Sequence, residues 1–423
     1  MSSSIVSLNP RVNRRYLMAD SASEIFLAVD VEGKASPTTG ASAAELALAI
    51  DRSGSMAKQG KMEHAKDAAI HLLESLEDRD HLTLITFAGK VSTELFRGSK
   101  EDVAKLAQAV TKLSADGWTD LYGAVVRGLA ELIKDGIDAS EGVVRRIVLI
   151  TDGLPTKGKS KVSDFVKLAE RVGEAGISVT ALGIGGDYNE EILSALAFSS
   201  GGVWRHISHP SEIRGMFARE LESMKTTILV RPELRLELMA GAELSEAYKV
   251  RPMLNRLEDL PMTDGSYVVS LGDVARGGME SLVFRLHLPP RSGGEFRIAK
   301  VALMNGGTSV DEDVVVRYTV DPTLCEEETD PYPRMLLAAS QGTVLLRSSV
   351  STGDETLLNR ATEVLKTALD DSEAETVVMD NALLRDTVAV FNEAYQTTVV
   401  NRRTLSAEDK KILKAKTTVI ARE

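Results

Sequence analysis

The run LALAIDRSGSM at residues 46–56 ends an apolar stretch in an aspartate followed by serines at alternate positions. In a locally extended loop, Asp51, Ser53 and Ser55 turn their oxygens to one side while Arg52 and Gly54 face away. Gly54 lets the backbone turn without a Cβ clash. A carboxylate with two hydroxyls is a hard, all-oxygen donor set, which suits Mg2+, Mn2+ or Ca2+ far better than Zn2+ or copper. It leaves such an ion short of ligands. Thr119, in Gly117-Trp118-Thr119-Asp120, and Asp152, directly after RRIVLIT and before Gly153, offer more oxygens. Each segment alone also reads as a helix cap or a turn; three of them at strand ends favour a metal site.

Asp51-x-Ser53-x-Ser55, then Thr119, then Thr151-Asp152-Gly153, in this order, resemble the metal-ion-dependent adhesion site of von Willebrand factor type A domains. The resemblance covers roughly residues 42–225, the size of one doubly wound domain. It implies that Ser53, Ser55 and Thr119 reach the ion directly or through water, and that Asp51 and Asp152 coordinate it or hold its waters. It also implies recognition: an Asp or Glu of a partner protein supplies the last ligand. Mg2+, which keeps several waters, is the expected ion, with Mn2+ or Ca2+ as alternatives. Hydrolysis at the ion would need a base beside a bound water. These motifs offer no His or spare Glu for that, so no enzyme is expected.

A rival pattern overlaps the same place. Gly153-Leu-Pro-Thr-Lys-Gly158-Lys159-Ser160 fits the G-x-x-x-x-G-K-[ST] phosphate loop between a strand and a helix, which would make the protein an NTPase. The alternative is an ordinary solvated connection that carries Asp152. Gly183-Ile-Gly185-Gly186 lacks the third spaced glycine of a dinucleotide turn and reads as a strand-to-helix turn. His206 and His209 have no Cys or carboxylate partner at a recognisable spacing. Trp118 reads as either a packing residue or a partner-contacting aromatic.

The elements that must position these residues follow from the hydrophobic pattern. Strands are expected at LALAI, HLTLITF, RRIVLIT, ISVTALGI and VWRHI, with amphipathic helices such as MEHAKDAAIHLLESL and FVKLAERVGEAG between them. That alternation signals a doubly wound, mostly parallel α/β sheet, with a short antiparallel edge at KVSTELF. Beyond Thr226 the pattern changes. TTILVRPELRLELM, GSYVVSLGDV, MESLVFRLHL, FRIAKVALM and DEDVVVRYTV read as strands of an antiparallel β-sandwich over residues 226–322. Residues 1–41, with EIFLAVDVEG, are expected to join it, the domain at 42–225 being inserted between. Residues 323–423 read as a C-terminal helical region and tail, their apolar residues recurring at three and four positions.

The chain has 423 residues, 43% hydrophobic and 26% charged, a globular composition of more than one domain. A formal net charge of -12 argues against nucleic acid and anionic membrane as partners. Cys325 is the single cysteine, which excludes an intrachain disulfide framework. With no signal-like or membrane-spanning run in the sequence, the expected location is the cytoplasm. The expected function is a metal-dependent protein-protein interaction module or scaffold. The other readings are a structural protein that self-assembles through the same site, the phosphate-loop NTPase, and an accessory to an ATP-driven partner complex.

Overall fold

The computed structural model describes residues 5–34, 42–134, 142–305, 308–327, 329–369, 381, 384, 385, 388 and 389. The chain divides into two compact units. One comprises Ala35–Arg231 with Gly272–Arg276, the other Met1–Lys34, Pro232–Leu271 and Gly277–Glu423.

The first unit is built on a six-stranded sheet of β1 (Ala43–Asp51), β2 (His81–Phe87), β3 (Val91–Gly98), β4 (Val143–Thr151), β5 (Ile177–Ile184) and β6 (Trp204–Ile207). Their spatial order is β3-β2-β1-β4-β5-β6. Every neighbouring pair is parallel except β2 with β3, the antiparallel edge. The inner strands are continuous apolar runs because both faces are covered; every residue of β5 is buried. Helices α1 (Lys61–Glu74), α2 (Val103–Thr111), α3 (Leu121–Leu132), α4 (Val162–Glu174), α5 (Glu190–Ser200) and α6 (Ile213–Lys225) alternate with these strands. Ala65, Ala69 and Leu72 of α1 and Phe217 and Leu221 of α6 share a core with Leu46, Leu48 and Ile50 of β1 and Val148 of β4. On α3, Gly128 lies so close to Ile147 that an added Cβ would stand 3.0 Å from its Cδ1. Ile147 and Val148 point to opposite faces of the sheet, so α3 covers the face that α1 and α6 leave. The unit is a doubly wound α/β fold.

TTILVRPELRLELM, read above as one strand, is two. Thr227–Leu229 pairs with Val274–Ala275 within the α/β unit, whereas Glu233–Leu238 joins a sheet of the other. The break has a local cause: Arg231 takes a positive φ of 46°, and Pro232 has no N–H to donate to a ladder. GSYVVSLGDV is interrupted likewise, into Ser266–Ser270 and Val274–Ala275.

The second unit holds two sheets. Val6–Val12, Ser23–Gly33, Met279–Leu288, Glu243–Arg251 and Asn255–Arg256 form one, in that order; Pro10 sits on its edge strand, where a missing donor is tolerated. Ser23–Gly33 pairs antiparallel with Met279–Leu288 over ten residue pairs. The other sheet runs Met262–Thr263, Ser266–Ser270, Glu233–Leu238, Gly294–Asn305, Thr308–Thr319, Tyr16–Met18. Helices Pro331–Thr352 and Glu355–Leu369 pack through Leu336, Leu346, Leu358 and Ala361 with Ala28, Tyr248 and Val283. Beyond Leu369 the expected C-terminal helical region and tail lie, apart from the few residues named above, outside the described residues.

Candidate metal centre

Asp51 is the last residue of β1, and Asp152 follows the last residue of β4. These strands are parallel neighbours, with Ile50 beside Ile150 in register, so the chain delivers both carboxylates to one edge of the sheet. That edge is also where the strand order reverses. Such a switch point opens a crevice beyond the carboxyl ends of the strands, because successive connections leave toward opposite faces.

Three loops close around the two aspartates. After Asp51 the chain turns through Ser53 and Ser55 into a short helical segment, Gly54–Gly60, whose Met56 is buried. The loop before α3 is held by the Asp120 N–H donating to Ala88 O at 3.0 Å, and Asp120 caps α3 through a bond from the Gly123 N–H. The loop after Asp152 is tied to it through Thr156: the Thr119 N–H donates to Thr156 Oγ1 at 2.8 Å, and the Thr156 N–H donates to Thr119 O at 3.1 Å.

Within these loops the five sequence-derived residues meet. Asp51 Oδ1 accepts from the Ser53 N–H at 2.8 Å, and Asp51 Oδ2 accepts from Thr151 Oγ1 at 2.5 Å. Ser53 Oγ lies 3.1 Å from Ser55 Oγ, which donates to Asp152 Oδ1 at 2.6 Å. A Cβ at Gly153 would stand 3.6 Å from both Ser55 Oγ and Thr119 Oγ1, so Thr119 faces the same small space. Asp51 and Asp152 are fully buried, and Ser53 and Thr119 nearly so. Burial pushes the Asp51 carboxyl up to about 6; bonds from Thr151 and Ser53 pull it down, and the Asp152 charge adds to the rise.

Two residues of the cluster were not among the site candidates. Thr151 reads as the last position of an apolar strand, yet its hydroxyl orients Asp51. Lys61, the first residue of α1, is buried, with Nζ 2.7 Å from Asp152 Oδ2. In the sequence it looks like any lysine opening an amphipathic helix.

The donor set is all oxygen and carries two buried carboxylates, chemistry that matches a hard divalent cation rather than a thiophilic one. Among the described residues no group of three His, Cys, Asp or Glu side chains could hold a metal ion. An ion at this edge therefore depends on the Ser and Thr hydroxyls for its coordination.

Several other candidate side chains have partners of their own. Lys159 of the phosphate-loop pattern pairs with Asp164 at 3.1 Å and stands over the Tyr122 ring; Lys157 Nζ donates to Gly89 O. α4 begins at Val162, two residues past Ser160. Gly183 admits the Tyr188 ring, which a Cβ would strike at 2.4 Å. His206 Nδ1 is 2.8 Å from the Tyr188 hydroxyl, and the His209 N–H donates to Glu212. Trp118 is 66% exposed, and Leu154 52%. Among the described residues no helix is long and apolar enough to cross a membrane.

The family model of the von Willebrand factor type A domain matches residues 45–217. An uncharacterized protein of Synechocystis is 29% identical over 260 residues, 61% of this chain and 60% of its own length. The bovine inter-alpha-trypsin inhibitor heavy chain H4 is 30% identical over 168 residues, 38% of this chain and 18% of its own. The chain thus spans less than two thirds of the length of these relatives. Among solved structures, a von Willebrand factor type A protein from Catenulispora acidiphila superposes with a TM-score of 0.76 at 17% identity, covering 100% of this chain and 99% of its own. The ArnB paralog VWA2 from Sulfolobus acidocaldarius gives 0.58 at 17% identity, over 99% and 100%. At such identities the likeness is one of fold. With the family match and the switch-point sheet together, residues 45–217 are a von Willebrand factor type A domain.

Proposed function

We propose that this chain is a protein-interaction module whose von Willebrand factor type A domain holds one divalent cation, Mg2+ in preference to Mn2+ or Ca2+, and offers it to an Asp or Glu of a partner protein. The observation that carries this reading is the convergence of Asp51, Ser53, Ser55, Thr119 and Asp152 from three separate loops onto one buried edge. Ser53, Ser55 and Thr119 would hold the ion, with Asp51 and Asp152 balancing its charge and fixing the hydroxyls. A bound cation supplies an electrophilic position that a carboxylate oxygen can fill. Asp51 is held by Thr151 and the Ser53 amide and Asp152 by Ser55 and Lys61, so both carboxylates are engaged in holding the cluster together. The role proposed is therefore binding and not hydrolysis. A single cysteine fits work in the reducing cytoplasm.

The test is capture of partner proteins by the full chain in Mg2+ and in EDTA, beside Ser53→Ala/Ser55→Ala. Proteins retained by wild type in Mg2+, and lost both in EDTA and with the double variant, are the expected result. A capture pattern indifferent to both changes would refute the proposal.

A further inference from the structure

The ammonium of Lys61 is turned into the protein, with the lysine side chain 8% and its Asp152 partner 0% exposed. The backbone ahead of α1 builds that reversal: Gln59 and Gly60 take positive φ values of 56° and 70°. Gly185, at φ 67°, lies beside it, since a Cβ there would stand in ordinary contact, 3.7 Å from Nζ. Burying an ammonium costs its hydration unless a counter-charge and good geometry offset the loss. Asp152 provides both, and divides its oxygens to do so: Oδ1 accepts from the Ser55 hydroxyl and Oδ2 from Lys61.

Charge counting gives this arrangement a consequence. Asp51, Asp152 and Lys61 together carry one net negative charge. A divalent cation turns that into one positive charge, and one carboxylate then makes the cluster neutral. Without Lys61 the loaded cluster is already neutral, and an incoming carboxylate would leave a buried excess of negative charge. In such surroundings one unit charge a few ångströms away shifts an equilibrium by about one to three powers of ten.

We infer that Lys61 is a built-in counter-cation that weakens the resting site's affinity for a divalent ion and makes the ion-loaded site selective for a single carboxylate. The inference rests on the metal reading above. Ion and carboxylate then bind with positive linkage, each tightening the other.

The test titrates the full chain with Mn2+, reading free ion by electron paramagnetic resonance, at constant ionic strength in perchlorate or in acetate. Wild type is expected to bind Mn2+ about fivefold or more tightly in acetate than in perchlorate, after correction for Mn2+ complexed by acetate itself. Lys61→Met and Lys61→Gln are expected to bind Mn2+ in perchlorate about ten- to a hundredfold more tightly than wild type, and to lose the acetate effect. Lys61→Gln keeps a hydrogen-bond donor for Asp152, so it separates charge from packing. Equal or weaker Mn2+ binding by a folded Lys61→Gln, or an acetate effect that survives in it, overturns the inference. So does a wild type whose Mn2+ affinity ignores acetate, a measurement that needs no variant. A wild type that binds no Mn2+ at all overturns the metal reading itself.

Discussion

The Thr151 hydroxyl donates to the Asp51 carboxylate at 2.5 Å, tying the end of β4 to the end of β1. A residue of one strand thereby fixes the rotamer of the acid on its neighbour, before any loop residue acts. Thr151→Val keeps the shape and removes the donor from a fully buried carboxylate. Leaving that acceptor short of a partner is expected to cost about 1–3 kcal/mol, read as a lower urea midpoint at unchanged slope.

Arg146 anchors the α/β unit by a second buried relationship. Its guanidinium donates to Glu220 at 3.0 Å, Asp273 at 2.7 Å and Ser178 at 3.1 Å, and so fastens the returning segment Gly272–Arg276 to β4. Arg146→Met takes the shared cation from two buried carboxylates, leaving Glu220 with the Thr180 hydroxyl and Arg205 and Asp273 with the Ser178 hydroxyl. The expected loss is about 3–5 kcal/mol, measured by denaturant unfolding.

The sequence made the scaffold of this unit readable because parallel strands covered on both faces are continuous apolar runs, and LALAI, RRIVLIT and ISVTALGI could hardly be anything else. The positions of Asp51 and Asp152 were readable because an acid directly after such a run sits at a strand end, whereas Thr119 lies in the loop between two helices, α2 and α3, and follows no strand. Lys61 was not readable, since nothing local distinguishes a lysine turned inward by Gln59 and Gly60 from one facing water. Glu243–Arg251 was missed as a strand for a related reason: its charges suggest a loop, but Lys249 is buried against Glu280 at 2.9 Å. The return of Gly272–Arg276 to the α/β unit is a long-range pairing, with Asp273 held by Arg146, that no periodicity encodes.

Asp30, in the other unit, gives a pH dependence of defined sign. Burial raises its carboxyl above the ordinary Asp value, while bonds from Ser281 at 2.6 Å and from the Tyr332 hydroxyl pull it back. The native state therefore holds this proton at pH values where the unfolded chain has lost it. The stability it contributes is present below the unfolded pKa, roughly 4, and is lost as pH rises through the folded value. Asp30→Asn is expected to flatten that part of the curve of unfolding free energy against pH.

Trp118 precedes Thr119 and is 66% exposed, touching Gly89 at its base, where an added Cβ would meet Trp118 Cδ1 at 3.8 Å. Truncating an exposed aromatic changes stability by about 0.5 kcal/mol or less, whereas a hot-spot aromatic contributes about 2 kcal/mol or more to binding. Trp118→Ala is expected to keep the wild-type melting temperature and to lose most Mg2+-dependent capture.

Calorimetric titration of the full chain with Mg2+, beside Ser53→Ala/Ser55→Ala and Thr119→Ala, tests the central claim most directly. The account predicts one Mg2+ per wild-type chain, and binding lost in the double variant and weakened in Thr119→Ala while all three proteins stay folded. A wild type that takes up no Mg2+, or variants that bind it as wild type does, would contradict it.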